Sequence, residues 1–298
     1  MRNRAGRQCA GRPGGMGLAR GRSDGSTTEA LMAPTRNDSP GASPEPPLPF
    51  VAPCRELAVS APLRWLVLGW TDLRRAPWPS LVYGVALTAL SYAIALSAWW
   101  YGALALYLGL ATGFVFVGPA LAIGLYSISR QLEAGRTPRL GYCVGEGSQR
   151  LRDSLLLGVV LLVVLLVWAR AASMVHVFFP VRGEPTWQDL VPFLTIGSVV
   201  GGLFAAVVFA ASAFSLPMLL DRKADPITAV VTSVNAVLRN KAPMLVWGGL
   251  IGASLLLGFA TAFLGFLILM PVIGHATWHA YRETIDASAW PPNGPLER

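Results

Sequence analysis

The sequence predicts an all-α protein: a polytopic transmembrane helix bundle of about six spans in three parallel helical-hairpin repeats. Each repeat is preceded by an interfacial amphipathic helix on the cytoplasmic side. Three observations carry that reading. The chain of 298 residues is 53% hydrophobic and only 13% charged, about half the charge of a soluble domain. Apolar runs near or above the ~18–20 residues needed to cross hydrocarbon recur along it. One pattern also returns: residues 113–130 (GFVFVGPALAIGLYSISR) are answered by residues 265–282 (GFLILMPVIGHATWHAYR). In both copies a Gly-Phe pair lies six residues before a proline, an aromatic (Tyr126, Trp278) seven after it and an arginine eleven after it. A looser third copy ends in SLPMLLDR at residues 215–222.

Residues 1–55 are rich in Gly, Arg, Pro and Ser with few bulky apolar side chains. Such a segment buries too little surface to offset chain entropy, so a disordered basic tail is expected. The membrane domain is expected over 56–285, and a second disordered tail over the Pro-rich 286–298.

The first element, residues 62–75, puts Leu63, Leu66, Val67, Trp70 and Leu73 on one helical face, with Arg64, Thr71, Asp72, Arg74 and Arg75 elsewhere. That is the pattern of a helix lying in the headgroup plane. Pro77-Trp78-Pro79 then turns the chain into the bilayer. A weaker version follows Thr137-Pro138, carrying Leu140, Cys143, Val144 and Leu151 between Gly141, Gly145 and Gly147. The cleanest opens at Asp225-Pro226, an N-cap residue followed by a first-turn proline. Its stripe is Ile227, Val230, Val231, Val234, Val237 and Leu238, opposite Thr228, Asn235 and Arg239.

Behind each amphipathic segment comes a pair of spans: about 81–100 and 103–128, 154–179 and 191–220, 244–260 and 262–281. The last pair must turn within a residue or two near Thr261. Two spans per unit make the repeats parallel, related by an axis along the membrane normal. Of 24 Lys and Arg, all but Arg170 and Arg182 lie ahead of the first span, in the connections 129–153 and 221–242, or at the C-terminal end. The positive-inside rule therefore places both termini in the cytoplasm. Trp99, Trp100, Tyr101 and Trp187 are expected at the outer interface, and Trp78, Tyr126 and Trp278 at the inner one.

The net charge of +8 does not argue for nucleic acid, because the arginines are spread over the ends of apolar runs. Membrane lipids are the expected partner, with a membrane-protein partner or a second copy of the chain as further candidates. Cys9, Cys54 and Cys143 share no metal spacing and are expected as reduced thiols.

Few residues suggest chemistry. His275 and His279 stand at i and i+4 on the last span, where two imidazoles can ligate one metal if a third ligand is found. Arg170 is the one charge inside a span, with His176 six residues on, and together they form a candidate polar site within the membrane. Pro119, Pro217 and Pro271 are helix-kink positions in three related spans. The sequence contains no phosphate-cradling loop, nucleophile elbow or paired intramembrane carboxylates, and no cofactor is expected.

The runs GWTDLRRAPWPSL, GFVFVGPALAIGLY, SLPMLLDR, DPITAVVTSVNAVLRN and GHATWHAYR together resemble DUF2189, a bacterial integral-membrane family of unknown function, over roughly residues 62–285. The resemblance implies a multi-pass protein of the bacterial inner membrane with no established activity. The leading expectation is a non-enzymatic, membrane-organising or lipid- and partner-binding protein. A small-molecule transporter is the alternative, resting on the prolines and Arg170. A metal- or haem-binding redox subunit, resting on His275 and His279, is the second.

Overall fold

The computed structural model describes residues 49–101, 121–149, 151–178 and 187–294. These residues are helical throughout apart from turns and two isolated bridges, Cys54 with Ile285 and Arg222 with Pro292. In chain order the helices are α1 (Ala61–Arg75), α2 (Pro77–Tyr101), α3 (described over 121–133), α4 (Leu140–Gln149), α5 (Leu151–Phe178), α6 (Trp187–Ser212), α7 (Ser215–Asp221), α8 (Pro226–Arg239), α9 (Lys241–Ala260) and α10 (Phe266–Thr284).

Three stretches are long and apolar enough to cross a membrane: Pro77–Ser97, Leu194–Asp221 and Lys241–Ala260. Shorter apolar helical stretches run over Leu155–Ala171 and Pro226–Arg239. Only 17% of the first span is buried within the protein, so most of its apolar surface must meet hydrocarbon. On α2 the exposed Trp78 and Trp99 lie 21 residues apart. At 1.5 Å per residue that is roughly 31 Å, the thickness of the hydrocarbon layer between two aromatic belts.

The expected span 103–128 falls mostly outside the described residues, and Pro119 with it. The third hairpin is resolved. It turns through residues 261–265, longer than the expected residue or two, with Ala262 and Phe263 at positive φ of 50° and 69°. The Phe263 N–H closes on the Gly258 carbonyl at 2.8 Å, a Schellman-like end for α9. The Thr261 hydroxyl accepts from the Gly265 N–H at 2.9 Å, and Phe259, Phe263 and Phe266 pack edge-on with Tyr92 around the bend. A Cβ at Gly258 would fall 1.9 Å from the Phe266 ring, so the bend holds that aromatic tightly. The second helix of this hairpin is apolar only to Ile273; from His275 onward it carries the polar motif, which reaches into a packed polar end.

That end is where α1, the start of α2, α3, α4, α7, α8 and the C-terminal half of α10 converge. α1 runs against α10, with Gly69 so close that a Cβ there would sit 2.5 Å from the Val272 carbonyl oxygen and 2.8 Å from the Ala276 nitrogen. Trp65 and Trp247, both fully buried, meet edge to face at 5.6 Å and join α1 to α9.

The ordered part reaches beyond both expected boundaries. On the N-terminal side Ala52 is buried and its N–H donates to the Thr232 hydroxyl. On the C-terminal side, where a disordered tail is expected from residue 286, Trp290 and Asn293 are buried. The Asn293 amide donates to the carbonyls of Leu219, Leu220 and Arg222 at 2.9, 3.0 and 2.7 Å. The last carbonyls of a helix have no partner within it. One side chain some seventy residues away supplies them for α7, and with the bonds from Arg222 to the Trp290 carbonyl and from the Lys223 N–H to the Pro291 carbonyl it fixes this segment.

Candidate functional site

The polar end of α10 engages its motif side chains one by one. His275 is fully buried between Ser80 of α2 and Ser129 of α3, with Nε2 2.9 Å from the Ser80 hydroxyl and Nδ1 2.8 Å from the Ser129 hydroxyl. The Ser80 hydroxyl donates its single proton to the Ala76 carbonyl at 2.7 Å. It can then only accept from His275, which puts the ring proton on Nε2 and leaves Nδ1 to accept from Ser129. Neither ring nitrogen retains a free lone pair.

His279, one turn on, faces α1 instead: its Nε2 lies 2.7 Å from Oδ2 of the buried Asp72. The two histidines expected to converge on a metal are thus held by different neighbours. Among the described residues no group of three or more His, Cys, Asp and Glu side chains is placed to hold a metal ion.

The remaining motif residues follow suit. Trp278 and Tyr126, expected at the lipid interface, are buried in the protein. Trp278 Nε1 donates to Glu133 at 3.0 Å. The Tyr281 hydroxyl donates to Asp221 at 2.9 Å, and Arg282 reaches both Glu133 and Asp221. Glu283 accepts from Arg64 and from Trp65 Nε1. Beside this network Arg130 pairs with Glu146 of α4 at 2.6 Å and donates to the Asn293 carbonyl at 2.8 Å. Cys143 is buried against Gln131, and burial pushes its thiol above the ordinary range.

Sequence reasoning missed Ser80, Ser129, Asp72, Glu133, Glu146 and Asp221 as partners. No local signal marks them, because each meets a residue distant in the chain. Asn240 was likewise missed: its side chain accepts from the Leu57 N–H and donates to the Arg55 carbonyl, fastening the segment ahead of α1 to α8.

Arg170 lies on α5 with its side chain exposed. His176 falls on the same helix, with its side chain outside the described residues. Pro217 follows directly on a break in the apolar stretch Leu194–Asp221. α6 ends at Ser212, and Pro217 occupies the first turn of α7, where a missing N–H is tolerated. The break is sealed by Ser233 of α8, whose hydroxyl accepts from the Phe214 N–H at 3.1 Å. Pro271 is inside α10 and buried.

A second feature of this end is the direction in which the amphipathic helices face. α1 buries Ala61, Pro62, Trp65, Gly69, Asp72 and Leu73, while Leu63, Val67 and Trp70 stand 56%, 65% and 46% exposed. α8 buries Thr228, Ala229, Thr232, Ser233 and Ala236, and turns Ile227 and Leu238 outward at 66% and 58% exposure. In water the apolar stripe of such helices would face the core. Here α8 makes its closest contacts through small and polar residues, as is common between membrane helices, and α1 through Trp65, Gly69, Asp72 and Leu73. Leu66, Val230 and Val237 pack at the edge of the core, and the rest of each apolar stripe is left outward.

Of the comparisons with known proteins, one gives a class and none gives an activity. No curated protein and no solved structure matches the chain. Residues 106–221 are similar to the DUF2189 family, described as a predicted integral membrane protein, and that match together with the apolar helices on either side makes this an integral membrane protein.

Proposed function

We propose that the protein is a non-enzymatic, multi-pass membrane protein that organises lipid, or a membrane partner, at one leaflet. In this reading α1 and α8 lie in the interface with their apolar stripes inserted, and the hydrogen-bonded polar end is the rigid frame that holds them there. The outward placement of Leu63, Val67 and Trp70 on α1, with Ile227 and Leu238 on α8, is the observation that carries it. Six spans in three parallel repeats, with the polar end and both termini in the cytoplasm of a bacterial inner membrane, complete the proposal. The basic residues bordering the spans and the separate helices α9 and α10 support that arrangement. The use of the motif histidines, arginine and carboxylates in internal pairs supports a structural rather than catalytic role for them.

The test is a depth measurement. Nitroxide labels at Val67→Cys and Leu238→Cys, in protein reconstituted into phospholipid vesicles, should be accessible to oxygen and shielded from a water-soluble nickel chelate. Labels fully open to the chelate would remove the interfacial reading.

A further inference from the structure

We propose that the elbow between α1 and α2 is a binding site for anionic phospholipid headgroups, with Arg74 and Arg75 taking the phosphate. The proposal rests on the interfacial reading of α1 and names the lipid class it engages. Arg74 and Arg75 close α1 and are exposed, one residue ahead of the helix that begins the first candidate span. Among the described residues neither has an ion-pair partner. The acid on the same helix, Asp72, is turned inward to His279, and Arg64 is already matched by Glu283. The exposed charge of the elbow is therefore wholly positive.

The surroundings select a lipid over a free anion. Trp70 and Trp78 flank the two arginines along the chain and are 46% and 74% exposed, and Val67 lies one turn before Trp70 on α1. Indoles of this kind settle at headgroup depth, apolar body toward the acyl chains and N–H toward water. A guanidinium presents a planar fork that fits a phosphate with two hydrogen bonds. A zwitterionic lipid offers the same phosphate but repels the pair with its own cation, so net negative charge on the headgroup decides the preference. Arginines in a last helical turn also offset the helix dipole; that role changes stability and leaves lipid choice untouched.

Native mass spectrometry of the full chain released from nanodiscs of equal phosphatidylglycerol and phosphatidylcholine reads the preference directly. Wild type should retain phosphatidylglycerol in excess, and R74Q/R75Q should lower the ratio by about fivefold for each charge removed. R74K/R75K, which keeps the charge, should retain most of the excess. A wild-type ratio near one, or a ratio unchanged in R74Q/R75Q, overturns the proposal. The label at Val67→Cys separates this failure from that of the underlying reading. If the label is shielded while the ratio ignores the arginines, only the lipid preference is lost. If it is open to water, the interfacial placement of α1 falls as well.

Discussion

The carbonyl of Leu267, which loses its helical donor because Pro271 has no N–H, is covered by Gly84 of α2: a Cβ at position 84 would stand 2.2 Å from that oxygen. The proline and the glycine make one joint. Pro271 leaves that carbonyl of α10 without its helical donor, and only a residue without a side chain lets α2 come close enough to cover it.

Gly84→Ala should therefore cost more than an ordinary helix substitution, although alanine favours the helix by about 1 kcal/mol on propensity alone. The obstruction is backbone, which cannot rotate away, so a net loss of about 1–3 kcal/mol is expected. Thermal unfolding in detergent should show a clear drop in Tm for G84A. Gly197→Ala, at a position open on all sides, should leave Tm the same or higher.

The pairing of His279 with Asp72 predicts coupling between α1 and α10. Asp72→Asn keeps the shape and removes the charge from a side chain only 6% exposed, and should destabilise by about 1–3 kcal/mol. A double-mutant cycle with His279→Gln should show a clearly favourable interaction energy, because the two groups touch. The same cycle between Asp72→Asn and Asp225→Ala should be additive, since Asp225 caps a different helix.

Much of this fold was legible because its signals are local. Asp225-Pro226 announces α8 by cap chemistry, and the structure places the Thr228 N–H 2.9 Å from the Asp225 carboxylate. The length of the last apolar run calls for a bend near Thr261, and the turn falls at residues 261–265. What local patterns could not give is the other face of each amphipathic helix. Gly69, Thr232 and Ser233 carry no apolar period, yet they are part of the surface on which α1 and α8 pack. The His275–His279 spacing did not reveal the partners of the two rings for a related reason. Two residues on one face share a neighbourhood only if that face meets one partner, and here α2 and α3 take the first imidazole while α1 takes the second. The fixed C-terminal segment was illegible because its partners lie far away in the chain: the Asn293 amide caps α7, Arg222 donates to the Trp290 carbonyl and the Lys223 N–H to that of Pro291.

Thiol chemistry checks the packing of α3 against α4. Burial raises the Cys143 thiol above its ordinary range, and its side chain is closed off from solvent. The thiolate that alkylating reagents need is scarce and shielded there. Cys54 is only partly buried. Treatment with iodoacetamide at pH 7.5 followed by peptide mass spectrometry should label Cys54 well before Cys143, and Cys143 should be modified only after unfolding in dodecyl sulfate. Early modification of Cys143 would mean that α4 does not stay docked on Gln131.

The cap of α8 sets a pH dependence whose sign follows from its geometry. Burial raises the Asp225 carboxyl, but the hydrogen bonds it accepts from Thr228 and neighbouring backbone outweigh that, and the group ends below its ordinary value of 3.8. A carboxylate depressed by folding contributes stability that is fully present above its unfolded pKa and lost as pH falls through the folded one. Asp225→Ala should then cost about 1 kcal/mol at neutral pH. The gap in unfolding midpoint between wild type and D225A should hold steady from pH 8 to about 5 and narrow below about 4. Asp225→Asn, which still accepts from the Thr228 N–H without a charge, should lose less at neutral pH, and the gap between D225N and D225A should not change with pH. If the wild-type and D225A midpoints instead drew together as pH rose, the contact between Asp225 and the first turn of α8 would not be the one stabilising the helix.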